Sequence, residues 1–332
     1  MVTLRQLRYF AALARHRHFG QAAEACAISQ PALSVQIQEL EAFLGAVLLE
    51  RGRGGITLTQ EGEEVARRAQ RILAEVGDLV DHARHQRRLL TGPLRLGAIP
   101  SIAPYLLPSA LPCLQQRHPA LALQIRETQT AVLVEELLRG MLDVLVLSLP
   151  VEHPELETIR LFDDRFLLAV QAGHPAAGRP DAAPALLGSE PLLLLEEGHC
   201  LRDQALIFCR QVDRGAVNGF GASSLSTIIQ MVANGLGITL LPELSLPFEV
   251  HDPRIALLRF AAPEPTRAIG LAWRRSSPRK RDFVELGKLL TTSRATAPGA
   301  AGGAGQEVLQ EASGVAAALS SSGPMPPQTR PA

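Results

Sequence analysis

The sequence predicts an α/β fold of two lobes, preceded by a small all-α domain with a short hairpin and by one long helix. Three observations carry that expectation. Residues 4–40 repeat apolar side chains at helical spacing around a compact turn. Residues 65–83 hold an apolar seam that alternates steps of four and three. From Leu94 onward, short apolar runs alternate with helix-patterned segments, as in a sheet covered by helices. The 332 residues allow two or three domains. A hydrophobic content of 46% with 20% charged residues describes a soluble globular chain, and zero formal net charge demands no acidic partner. No segment reaches membrane-span length and no leading apolar run resembles a signal peptide. The expected location is therefore the cytoplasm, where lasting structural disulfides are rare. The cysteine spacing matches no zinc pattern, so no metal or cofactor is expected.

Leu4, Leu7, Phe10 and Ala14 give the first helix its apolar face. His18 to Cys26 reads as a second, short helix of small residues that let two helices cross closely. Ser29 is an N-cap candidate, Pro31 suits a first turn, and Leu33, Ile37 and Leu40 line the core face of a third helix. Short helix, turn, helix is the helix-turn-helix plan. The exposed face of the third helix carries Gln30, Ser34, Gln36 and Gln38, side chains that hydrogen-bond to base edges, Gln suiting adenine. The same face also reads as ordinary solvated polar surface. Residues 48–51 and 56–59 form two short strands around Gly52-Arg-Gly-Gly55, a wing that places Arg51 and Arg53 near phosphates. Residues 1–90 hold twelve arginines, no lysine and ten acids, only a weak basic bias. Cys26 reads as a small core residue.

Val65, Ala69, Ile72, Val76, Leu79 and Ala83 form a heptad seam on a helix expected over residues 60–90. Thirty residues of helix span about 45 Å. One narrow apolar stripe on such a helix calls for a partner, most simply a second copy of this chain. Helix-turn-helix proteins commonly read two half-sites, which fits a dimer. Thr91-Gly92-Pro93 ends the helix and serves as hinge.

Residues 1–90 resemble the DNA-binding half of LysR-type transcriptional regulators. The resemblance rests on Ala22-Ala23 through Ser29-Gln30-Pro31-Ala-Leu-Ser34, then Ile37-x-x-Leu-Glu41, Leu44-Gly45, Leu48-x-x-Arg51 and Leu58-Thr-x-x-Gly62. It implies that Ser29, Gln30, Pro31 and Ser34 face double-stranded DNA and that Arg51 reaches its backbone. Gly54-Gly55 departs from the basic pair common at that wing tip, which weakens the expected wing contacts.

Next come a strand at 94–99, a helix from about 100 to 118, a strand at 121–126, a helix at 130–139 and a strand at 143–149. This alternation argues for a parallel sheet with ligands where strands end and helices begin. Ser101 and Thr130 lie at such points, where each hydroxyl either meets a ligand or caps a helix. A second block supplies strands at 166–170 and 192–195, a helix capped by Ser224 and a strand ending at Pro242. A strand at 268–273 and a helix at 278–290 close the fold. Two lobes result, lobe I at about 93–163 and 268–292 and lobe II at about 164–267, with a ligand cleft between them. Cys113 reads as packing. From residue 293 the chain turns to Ala, Gly, Ser and Pro, which cannot bury a core and reads as a disordered tail.

Residues 197–209, Glu-Gly-His-Cys-Leu-Arg-Asp-Gln-Ala-Leu-Ile-Phe-Cys, hold two of the four cysteines. Gly198 ends an extended segment and Cys200 begins a helix. The helix dipole, a protonated His199 and Arg202 would all favour its thiolate, the form that attacks peroxide. Nine positions along a helix separate Cys200 from Cys209 by about 13 Å on opposite faces, whereas a disulfide needs Cα atoms within about 7 Å. The pair can bond only if the helix opens, which would make oxidation a change of shape. Two inert cysteines on an ordinary helix fit the residues equally well.

The regulatory half resembles the hydrogen-peroxide-sensing branch of the LysR type. The residues that carry this are Pro104-Tyr-Leu-Leu-Pro108, Thr128-Gln-Thr130, Leu194-Leu-Glu196 with Gly198-His-Cys-Leu-Arg-Asp-Gln204, Phe208-Cys209, Ser224-Leu225, Gly237-Ile-Thr-Leu-Leu-Pro242 and Arg267-x-Ile-Gly270. The resemblance covers roughly residues 1–290. It implies a two-lobed, periplasmic-binding-protein-like region in which Cys200 reacts with peroxide and Cys209 is its disulfide partner. By the same resemblance His199, Thr130, Arg267 and Ser101 surround the peroxide, with Ser101 where the family usually has Thr, and Asp203 helps hold the reduced helix. A homodimer or homotetramer that contacts RNA polymerase is implied as the working form, controlling oxidative-stress genes. Two rivals stand beside this expectation: a regulator responding to a small metabolite in the inter-lobe cleft, and a thiol peroxidase using Cys200. The helix-turn-helix and wing speak against an enzyme.

Overall fold

The computed structural model describes residues 1–52, 55–84, 89–177, 187, 190–210 and 217–295, with side chains at these positions except 51, 52, 55, 81–84, 209, 210, 217–221 and 295. The tail expected from residue 293 lies outside them beyond Ala295.

Among the described residues, two separate apolar cores organise the chain. The first belongs to helices α1 (Leu4–His16), α2 (Phe19–Ala25) and α3 (Gln30–Leu44). A capping box opens α1: the Thr3 hydroxyl accepts from the Gln6 amide at 3.2 Å and the Gln6 side chain accepts from the Thr3 amide at 3.1 Å. Ser29 caps α3 by accepting from the Ala32 amide. Phe10, Leu13, Leu33, Ile37 and Leu40 are fully enclosed, and Ala22 and Ala23 are buried on α2. Strands β1 (Leu49–Gly52) and β2 (Gly55–Leu58) pair antiparallel as the wing.

Helix α4 (Gln60–Arg84) is described to Arg84, short of the expected residue 90. Leu90 is already part of the second core, and its amide donates to Asp282 at 3.2 Å. The heptad seam divides: Ala69 is buried on its own chain and Val65 and Val76 are half-buried, whereas Ile72 and Leu79 stand exposed. A 3.6-residue helix drifts around a straight seam, so its two ends face different neighbours.

In lobe I, β3 (Gly92–Ala98) lies between β4 (Leu121–Glu127) and β5 (Val144–Leu149), all parallel. Helix α5 (Ala103–Arg117) follows β3 and α6 (Thr130–Leu138) follows β4. The sheet is mixed rather than all parallel. Strand β11 (Thr266–Arg274) enters antiparallel between β5 and β6 (Leu156–Gln171). The expected strand at 166–170 is only the end of β6, whose first half alternates charged and apolar residues. That strand runs out of lobe I into lobe II, where its second half pairs with β9 (Thr239–Pro242) and β10 (Ile255–Leu258). Beside it β7 (Leu192–Leu195) pairs parallel with β8 (Val217–Ala222). Helices α7 (Cys200–Arg210) and α8 (Leu225–Ala233) follow β7 and β8, a short α9 (Leu246–Glu249) follows β9, and α10 (Lys280–Ala295) closes on lobe I. Strands β8 and β10 escaped sequence reading, β8 because two glycines dilute its pattern. Among the described residues no helix is long and apolar enough to cross a membrane.

Candidate functional site

The N-terminal ends of α6 in lobe I and α7 in lobe II meet at Cys200. Gly198 makes the turn between β7 and α7 with φ +90°, a conformation that L side chains rarely adopt. A Cβ there would also sit 2.6 Å from the Gln129 side chain. Gln129 in turn donates to the Glu197 carbonyl at 3.4 Å, clasping the turn against α6. Ile99, Pro100, Ser101, Thr130, His199 and Cys200 line a cavity of about 10 Å³ together with Gln129 and Gly198. That is room for one water-sized molecule and for no metabolite.

Behind the cavity stands a buried charge network. Arg267 at the start of β11 is 3% exposed and Asp164 in β6 is fully buried. Arg267 donates to Asp164 at 2.9 Å, to the Ser101 hydroxyl at 2.8 Å and to the Ser101 carbonyl at 3.0 Å. The other Asp164 oxygen accepts from the Leu244 amide at 2.9 Å. One ion pair thus ties the strand that crosses the lobes, the segment after β9 and Ser101 of lobe I. Further inter-lobe bonds join Tyr105 to Glu249 at 2.8 Å and Gln204 of α7 to Ser148 of β5.

Neither hydroxyl caps a helix. Ser101 accepts from Arg267, and α6 is capped by Gln129 without a side-chain bond. The Thr130 hydroxyl is buried with no hydrogen bond of full geometry, yet lies close enough to the Cys200 sulfur to favour its thiolate.

The thiol itself is free. Its acidity corrects the sequence expectation. Burial is the largest effect and pushes the Cys200 thiol above its ordinary range, while Arg267, Thr130 and Ser101 pull it back and Asp203 raises it further. Arg202 gives no help, because its guanidinium turns away and donates to the Leu195 carbonyl at 2.9 Å. Burial therefore works against the thiolate at rest. With limiting peroxide, the rate of Cys200 oxidation is expected to climb about tenfold per pH unit from pH 6 toward 9, as the thiolate fraction grows. Stopped-flow tryptophan fluorescence or timed alkylation reads it, and a plateau setting in below pH 7 would contradict a raised thiol.

Of the residues singled out in the sequence, the structure gathers Cys200, His199, Ser101 and Thr130 around the cavity and puts Arg267 one layer behind. Asp203 stands apart, exposed on the first turn of α7. Cys209 lies in the last turn of the same helix, its side chain outside the described residues. Asp164 and Ser148 escaped sequence reading. Asp164 sits in the charged run Asp163-Asp164-Arg165 in the middle of β6, where nothing local marks it as the buried member.

At the other end of the molecule, Ser29, Gln30 and Pro31 are exposed at the start of α3, and Ser34 and Gln36 are half-buried. Gln36 donates to Glu39 at 2.7 Å. Arg53 and the side chain of Arg51 lie outside the described residues.

Comparison with known proteins adds to this geometry. Residues 4–63 match the family described as bacterial regulatory helix-turn-helix protein, lysR family, and residues 87–292 match the LysR substrate binding domain. A probable hydrogen peroxide-inducible genes activator of Streptomyces viridosporus is 45% identical over 87% of this chain and 93% of its own length. The structure of a full-length OxyR variant from Pseudomonas aeruginosa superposes with a TM-score of 0.75 at 37% identity, covering 90% of this chain and 96% of that one. A peroxide-bound OxyR variant from Corynebacterium glutamicum matches at TM-score 0.61 and 38% identity, over 96% of this chain and 97% of that one. A capped helix-turn-helix with its wing, a linker helix and a two-lobed domain with a cysteine at the lobe junction thus occur together: the chain belongs to the LysR family of bacterial transcriptional regulators, in its OxyR branch.

Proposed function

We propose that this protein senses hydrogen peroxide at Cys200 and passes the signal to DNA by forming a Cys200–Cys209 disulfide. The observation that carries this reading is the one-molecule cavity in which the Cys200 thiol meets two hydroxyls with a buried guanidinium behind them. The Cys200 thiolate attacks one peroxide oxygen. An S–O bond forms as the O–O bond breaks, and the departing hydroxide takes up a proton to leave as water. The sulfur is then a sulfenic acid, with Ser101, Thr130 and Arg267 placed to stabilise charge on the separating oxygens. His199 lines the same space, and Asp203 bears on the site through its charge. The Cys209 thiolate next attacks the Cys200 sulfur and expels its oxygen as water once protonated. Two thiols and one peroxide give one disulfide and two waters.

The second step requires α7 to open, because its intact length holds the two cysteines about 13 Å apart. Opening releases Gln204 from Ser148 and the Phe208 ring from its edge contact with Phe260. Those links join α7 to lobe I and to the segment after β10, so their loss lets the lobes shift. The cavity is far too small for a metabolite effector, which disfavours the rival reading. A regulator that also reads DNA works in the cytoplasm and needs no catalytic turnover, so we infer no enzymatic role. Footprints on a target promoter test the whole reading: the reduced and oxidised forms are expected to protect different spans, and identical footprints would end it.

Ser29, Gln30, Pro31, Ser34 and Gln36 are the residues we place toward bases, with Arg51 and Arg53 on the phosphates. The dimer face is the stripe Ile72, Val76, Leu79 and Val80, and a tetramer contacting RNA polymerase is the form we assign to activated promoters. Leu79 is 69% exposed and Ile72 45%, so both have apolar area to bury in a partner. A Leu79→Glu variant loses that burial on both copies, about 3 kcal/mol in all, and is expected to weaken the dimer at least 100-fold. Sedimentation equilibrium measures this, and an unchanged assembly would place the interface elsewhere.

A further inference from the structure

We propose that the cleft between the helix-turn-helix domain, α4 and lobe I binds a small phosphorylated molecule with the chemistry of a nucleoside diphosphate. This site is distinct from the peroxide cavity and does not rest on it. Its volume is about 680 Å³, in the range of roughly 300–1,000 Å³ that small-molecule sites occupy. The walls are held in place by direct contact between α4 and lobe I. Gly140, at φ +70°, comes so close to α4 that a Cβ would lie 2.2 Å from the Ala74 Cβ. Asp78 of α4 accepts from Arg274 at 2.9 Å, and Arg274 also donates to the Leu137 and Leu142 carbonyls at 2.9 Å each.

The walls are cationic. Arg8 and Arg15 come from α1, Arg95 from β3, Arg139 from the end of α6 and Arg274 from β11, against Asp78 and Asp143. Both acids are already taken, Asp78 by Arg274 and Asp143 by Arg95. Arg8 and Arg15 make no ion pair among the described residues. Arg139 is paired with Glu135 on its own helix, so Arg8 and Arg15 are the surplus, and two positive charges in a concave site attract anions more strongly than the same charges on an open surface.

A second observation points to a missing polar partner. Arg139 Nε, Arg274 Nε and Gln70 Oε1, all on cleft-lining residues, are buried without a hydrogen bond, and buried polar groups in native proteins are nearly always paired. Two of the three are guanidinium donors: Arg274 is held by its bonds to Asp78 and to the Leu137 and Leu142 carbonyls, whereas Arg139, bonded through one terminal nitrogen to Glu135, can turn its Nε–H toward a bound phosphate oxygen. The remaining wall is apolar and made of small side chains, Ala11 and Ala12 of α1 and Leu73 and Ala74 of α4. It offers a flat apolar body such as a base a place to lie. A ligand touching α1, α4 and lobe I together would hold the DNA-binding head against the regulatory region.

Calorimetric titration of the full chain with ADP, and separately with inorganic pyrophosphate, tests this. ADP is expected to bind saturably, one per chain, and more tightly than pyrophosphate. Arg139→Gln and Arg15→Gln should each weaken ADP about tenfold, the loss of one charge-assisted contact, while unfolding at the wild-type temperature. An Arg51→Gln/Arg53→Gln wing variant should bind ADP as the wild type does. The proposal is overturned by no saturable ADP binding at millimolar concentration, by loss in the wing variant instead of the cleft variants, or by pyrophosphate binding as tightly as ADP.

Discussion

A Cys200→Ser variant is expected to bind its promoter and give one footprint with or without peroxide. Serine keeps nearly the volume and the hydrogen-bonding capacity of the thiol, so α7 and its contacts to Ser101 and Thr130 survive. Its hydroxyl has no accessible anion at neutral pH and forms no S–O bond, so the chemistry stops at the first step. Peroxide-induced transcription from a target promoter should fall to the uninduced level. Cys209→Ser should separate the two steps, because the sulfenic acid would form and then persist for trapping by a dimedone-type reagent. A Cys200→Ser protein that still switched its footprint with peroxide would move the sensor to another residue.

Replacing Arg267 with methionine is expected to cost more stability than any other single change near the site. Arg267 and Asp164 are a fully buried pair, and removing the cation leaves an uncompensated carboxylate. Breaking such a pair typically costs about 3–5 kcal/mol. For a regulatory region of this size, that lowers the melting temperature by roughly 6–20 °C. An Arg267→Met/Asp164→Leu double variant removes the stranded carboxylate as well and should recover much of the loss. Oxidation of Cys200 should slow in both variants, since both remove the guanidinium that favours the thiolate. Calorimetry and peroxide kinetics on the pair of variants separate the structural role of Arg267 from its chemical one. Wild-type melting in the single variant would mean that the ion pair contributes no net stability.

What could be read from the sequence was local. Ser29 as a cap, Pro31 in the first turn of α3, the wing strands and the placement of Cys200 at a helix start are all set by residues within a few positions of one another. The long-range features were not legible. Arg267 and Asp164 are 103 positions apart, and Arg267 and Ser101 are 166 apart. No periodicity announces a bond between such residues, and only the resemblance to peroxide sensors brought Arg267 to notice. The acidity of Cys200 was misread for the same reason. Helix start, His199 and Arg202 are local signals that all point to thiolate. Burial between two lobes outweighs them, and Arg202 bonds a carbonyl instead of the thiol. The split seam of α4 shows the limit of a pattern that fixes a face but not its neighbour: Ala69 is buried on its own chain while Leu79 is left for another.

The central claim is that Cys200 and Cys209 bond at the expense of α7, and peptide mapping after brief, low-dose peroxide addresses it most directly. Reduced protein is alkylated, oxidised protein is alkylated before and after a dithiol, and the cysteine peptides are weighed. The account predicts a single disulfide linking Cys200 to Cys209, absent in Cys200→Ser and reversed by the dithiol, with Cys26 and Cys113 still reduced. Both thiols remaining fully alkylatable after that exposure would contradict it.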